Sequence, residues 1–88
     1  MNLEEKFNIL VNKMNFGYYD EVIFETNYLI KKFPKQEALY NLLALTYQAK
    51  GEYDKSITLL TDALKRSNKN TNFLNNLGLA YLKKKNIL

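Results

Sequence analysis

The chain contains neither cysteine nor histidine. Disulfides, thiolate chemistry and the usual zinc ligand sets are thereby excluded, and so is the side chain most used for proton transfer near neutrality. Arginine occurs once, as Arg66, so lysine carries nearly all of a formal net charge of +4. Arginine is the side chain best suited to bidentate contacts with phosphate and guanine, and its scarcity makes the basic balance weak support for a nucleic-acid partner. No apolar run approaches the roughly 20 residues of a membrane span. The amino terminus, MNLEEKFNILVNK, has acids where a secretory signal needs bases. The expectation is a cytoplasmic chain with no membrane partner and no cofactor.

Proline is nearly absent too, with Pro34 the single instance. At 47% apolar and 25% charged, the 88 residues have the composition of a folded chain rather than a disordered one. A unit this short buries only about 60 to 65% of its unfolded surface, so its stability margin is thin.

What the sequence does contain is repetition, the feature that most constrains a fold. FGYYDEVI, residues 16–23, returns 34 residues later as KGEYDKSI, residues 50–57. Gly17, Tyr19, Asp20 and Ile23 thus recur as Gly51, Tyr53, Asp54 and Ile57. Lys31, Lys32 and Lys35 recur as Lys65, Arg66 and Lys69, and Tyr40, Leu43, Ala44 and Tyr47 as Leu74, Leu77, Gly78 and Tyr81.

Within each unit the apolar spacing is helical. Tyr40, Leu43, Ala44 and Tyr47 fall at i, i+3, i+4 and i+7, as do their four counterparts, each set forming one stripe. No stretch alternates with period two for long. The pattern predicts an all-α chain of five helices near 3–15, 19–32, 37–49, 53–66 and 71–85. Gly17 and Gly51 stand where a residue of positive φ closes a helix end, Pro34 stops the second helix, and Asn70 with Thr71 offers a cap for the fifth. Acids gather at helix starts and lysines at helix ends, each worth roughly 0.3 to 1 kcal/mol against the helix dipole at low salt. The repeated glycine motif reads as the turn of a repeated helical hairpin.

A 34-residue unit carrying Tyr40, Leu43, Ala44, Tyr47, Gly51, Tyr53, Leu60 and Ala63 resembles the tetratricopeptide repeat, with Ser56 where a small alanine is usual and Asn68 where proline is usual. NFLNNLGLAYLKK opens a further unit of the same kind. The resemblance implies one domain: a right-handed superhelical stack of hairpins with a first repeat over 3–36, a second over 37–70 and a half repeat over 71–88. It also implies protein partners and no catalysis.

Two departures from the pattern carry expectations of their own. In the first unit the period puts Lys6, Ile9, Leu10 and Lys13 at the signature positions, which would bury two lysines. Slipping that helix by one residue offers Phe7, Leu10, Val11 and Met14 instead, with a turn one residue shorter, and avoids the several kcal/mol that an unpaired buried lysine costs. At the other end, Lys85 takes the place of the turn glycine and Ile87 that of Tyr19 and Tyr53. Leu77, Tyr81, Ile87 and Leu88 then lack the helix that would cover them, because each repeat in such a stack buries its apolar face only against its neighbours. Either the chain is the N-terminal part of a longer array attached to another domain, or this face forms a homo-oligomer.

In this family the first helix of each hairpin lines a concave groove that receives partners. With the slip applied, the groove rows read Asn8, Asn12 and Asn15, then Asn41, Leu45 and Gln48, then Asn75, Leu79 and Leu82. Asn8, Asn41 and Asn75 share one rung, and a ladder of amides can both donate to and accept from the backbone of an extended peptide. The plainer reading is a set of solvated polar positions. The basic clamp by which some members hold a terminal carboxylate is not matched here. The lysine clusters Lys31, Lys32 and Lys35, Lys65, Arg66 and Lys69, and Lys83 to Lys85 could serve a polyanion, but helix ends favour cations without any ligand. Tyr19, Tyr47, Tyr53 and Tyr81 fall on packing stripes and read as core. No base lies near the few hydroxyls, and no catalytic residue is assigned.

Overall fold

A computed structural model describes residues 1–86 and contains five α-helices: α1 (Leu3–Asn15), α2 (Tyr19–Lys32), α3 (Glu37–Lys50), α4 (Tyr53–Arg66) and α5 (Thr71–Asn86). Their ends are written in the sequence. Asn2 accepts from the Glu5 amide at 2.8 Å and Asn70 from the Phe73 amide at 2.9 Å, so asparagine caps both the first and the last helix. Gly17 and Gly51 adopt φ of 90° and 91°. After each, the same pair of bonds closes the helix: Gly17 to Met14 and Tyr18 to Lys13, then Gly51 to Gln48 and Glu52 to Tyr47. Both turns are Schellman motifs in one register.

That identity corrects the expected shorter first turn. The backbone keeps the 34-residue period through the glycine, yet the side chains that α1 buries are those of the slipped set: Leu10 is buried, and Phe7, Val11 and Met14 pack against its cluster. The reconciliation lies in position. Among the described residues no helix stands before α1, so the place of Tyr40 is open there and Lys6 is exposed, while Lys13 at the place of Tyr47 is half-buried. Lys13 pairs with Glu21 at 2.7 Å, and Ile9 is left partly exposed.

Contacts run between neighbours: α1 with α2 and α3, α3 with α2, α4 and α5, and α4 with α5. Among the described residues the backbones of α2 and α4 do not approach one another. Thus α1, α3 and α5 form one layer and α2 and α4 the other. The slab measures 41 × 29 × 17 Å, its thin dimension being about what two helix layers occupy.

Two apolar clusters hold the layers together. Leu10, Val22, Leu29, Leu39 and Leu42 fill the first; Tyr40, Ala44, Leu60, Ala63 and Phe73 fill the second; Ile30 packs against both. Each fully buried leucine or phenylalanine contributes about 1.5 to 3 kcal/mol. Tyr40 closes the seam by donating to the Pro34 carbonyl at 2.7 Å, with the Arg66 guanidinium over its ring. Tyr19, Tyr47 and Tyr53 are partly buried as their stripes require, whereas Tyr81 is 54% exposed.

Candidate functional site

The layer α1, α3 and α5 is the surface on which the sequence places its groove. Successive contacts of α3 with α1 and with α5 make it continuous. Asn75, Leu79 and Leu82 on α5 are exposed, and Asn41 and Leu45 on α3 are half-buried. Gln48 is not on this surface. It is 2% exposed, its amide nitrogen donating to Ser56 Oγ at 3.0 Å and to the Asn76 carbonyl at 3.1 Å, because the neighbouring α5 covers it.

The amide ladder is corrected as well. With the turn register unslipped, the rung of Asn41 and Asn75 passes through Phe7, while Asn8 and Asn12 fall in line with Leu42 and Thr46. Those two residues are buried, whereas Asn8, Asn12 and Asn15 on the terminal helix are exposed. Asn8 and Asn12 therefore stand on the outer flank of α1. Asn41 is partly engaged, its carbonyl accepting from the Asn76 side chain at 3.0 Å. Asn41 and Leu45 on α3 and Asn75 and Leu79 on α5 lie on adjoining helices, apart from the first row.

Of the face expected to lack a cover, Leu77 is half-buried against the second cluster and Tyr81 is exposed, while Ile87 and Leu88 lie outside the described residues. Leu74 is 49% exposed although its counterpart Tyr40 is buried. Beside it, Gly78 has nothing within 4 Å of where a Cβ would project.

The charges are arranged by the same period. Lys50 reaches back to Asp20, and 34 residues later Lys84 reaches back to Asp54 at 2.6 Å. The aspartate of each Gly-x-Tyr-Asp turn thus ties its hairpin to the helix that follows. The hydrogen bond to the carboxylate raises the pKa of Lys50 and of Lys84, and that to Glu21 raises Lys13. Arg66 over Tyr40 and Lys65 beside Asp62 show that part of the basic edge is engaged within the chain.

Residues 37–70, from the start of α3 to the cap of α5, match the family model of the tetratricopeptide repeat. The central hairpin is a tetratricopeptide repeat. No curated protein and no solved structure matches the chain. A repeat of this family points to protein partners. Among the described residues no helix is long and apolar enough to cross a membrane.

One surface escaped the sequence reading. Phe16, Tyr18, Phe24 and Tyr28 of the first hairpin are all exposed, and at the same places the tetratricopeptide repeat has Lys50, Glu52, Thr58 and Asp62. A comparison of the two units at their non-signature positions would have found it.

Proposed function

We propose that the chain is a non-catalytic protein-interaction module, of two full repeats and a half, that holds an extended segment of a partner along the groove of α1, α3 and α5. The observation that carries this reading is the continuous inner layer. It offers mixed polar and apolar side chains, Asn41, Leu45, Asn75 and Leu79, on adjoining helices. Amides hold a peptide backbone while leucines take its side chains, a division that suits binding with modest sequence preference.

The test is selection of 12-residue peptides from a random display library on the intact chain. Selected peptides are expected to compete with one another and to lose binding to the Asn75→Ala, Leu79→Glu variant, whose exposed substitutions leave helicity unchanged. Peptides that bind this variant as well as the parent would place the site elsewhere and end the reading.

A second reading is favoured by Leu74 and Tyr81, whose exposure beside Gly78 leaves an apolar stripe along α5. It makes the chain an assembly element, pairing with another copy or continuing into further repeats. Light scattering that returns monomer mass at millimolar concentration would remove the paired form.

A further inference from the structure

Because the hairpin is built twice, each copy tests which side chains the fold of the other requires. On the outer face of α2, Phe24 is 76% and Tyr28 53% exposed, one turn apart. The equivalent residues of α4 are Thr58 and Asp62, both exposed. Polar side chains therefore satisfy the hairpin at these positions, and packing does not account for the two rings. Singly exposed apolar residues are ordinary, but adjoining ones mark contact surfaces. With Asp20, Ile23, Asn27 and Lys31 the rings line a shallow depression of about 400 Å³.

The exchange of an acid for Tyr28 also changes the local charge. In α4, Lys65 is paired with Asp62 at 3.5 Å. Its counterpart Lys31 has no acid within ion-pair distance among the described residues, and Lys32 lies over the Tyr28 ring, 5.1 Å from its centroid. The acids of α2 are engaged, Asp20 by Lys50 and both Glu21 and Glu25 by the single Lys13. The depression is thus aromatic, its one acid, Asp20, is bonded to Lys50, and Lys31 in its lining and Lys32 over the Tyr28 ring have no carboxylate partner among the described residues.

We propose that the outer face of α2 is a second docking surface, separate from the groove, that receives an acidic and apolar segment of a partner protein. Apolar side chains of that segment lie on Phe24 and Tyr28, and its carboxylates supply to Lys31 and Lys32 what Asp62 supplies to Lys65. Rigid aromatic rings give contact area at low entropic cost, and the rim of lysines steers association and makes it sensitive to salt.

The experiment is fluorescence anisotropy on the intact chain with a labelled 16-residue peptide of repeating Glu-Leu-Asp-Phe, alongside matched peptides of Lys-Leu-Lys-Phe and Glu-Ser-Asp-Ser. The first is expected to bind and the other two at least about tenfold more weakly, the scale of losing anchor residues. F24T/Y28D, which installs residues the other hairpin already uses, is expected to weaken binding by about the same factor with unchanged circular dichroism. K31E/K32E is expected to reverse the charge preference. Undiminished binding by F24T/Y28D would overturn the proposal. So would indifference to the peptide combined with F24T/Y28D-sensitive binding to phosphatidylserine vesicles, or with a dimer mass that this variant abolishes.

Discussion

At the scale of single residues, Gly51 and Gly78 do different things. Gly51 closes α3 with φ of 91°, a conformation that strains any residue bearing a Cβ, although nothing stands within 4 Å to collide with one. Gly51→Ala is expected to destabilise by about 1 kcal/mol on conformational grounds. Gly78 lies inside α5 with the same open space and an ordinary helical backbone, so Gly78→Ala is expected to stabilise by about 0.5 to 1 kcal/mol. Urea unfolding of the two variants checks the opposite signs. Thr26 makes a second case. Its hydroxyl is buried without a partner among the described residues, and the second hairpin has Leu60 there. Thr26→Val keeps the shape and removes the stranded group, with an expected gain of about 1 kcal/mol by the same measurement.

At the scale of elements, the helices were legible because their ends are chemically marked. The expected limits of α1, α2 and α4 match those found, and α3 and α5 run one residue further. The face of α1 was legible for the wrong reason. Avoidance of buried lysine picks out Phe7, Leu10, Val11 and Met14, but the register of the helix is kept and only the demand on its outer side differs. Gln48 was misplaced because sequence spacing cannot tell how closely α5 covers α3. The links between hairpins were not foreseen either, since Lys50 with Asp20 and Lys84 with Asp54 join residues 30 apart. The hydrogen bond to its carboxylate raises each lysine above its unfolded value of about 10.4. The stabilisation is thus fully present below that value and is lost as pH rises through the higher folded one. Both lysines are exposed, so the effect is small and screened by salt. Thermal unfolding of the parent and of Asp20→Asn, Asp54→Asn at low ionic strength should show a difference in melting temperature near about pH 9 that closes by about pH 12, where lysine is neutral.

At the scale of the whole molecule, the two ends of the stack differ. The outer side of α1 presents Lys6, Asn8 and Asn12 to solvent, whereas α5 presents Leu74 and Tyr81. The outer side of α1 is thus mainly polar, with Ile9 partly exposed among these residues, and the exposed side of α5 is more apolar. Leu74→Lys with Tyr81→Lys is expected to leave the helical content unchanged and to abolish any concentration-dependent mass seen by light scattering.

Among the described residues the backbone of α3 approaches that of every other helix, and the backbone contacts that bypass it are α1 with α2 and α4 with α5. In a quasi-linear chain of this kind the ends open without the middle, but the middle cannot open without releasing both ends. Amide protons of α3 are therefore expected to exchange with deuterium last, at the rate of global unfolding, while those of α1 and α5 exchange earlier by fraying. News of an event at one end reaches the other mainly through this central helix, so a substitution that loosens α3 would make the pairs α1–α2 and α4–α5 fluctuate as strangers.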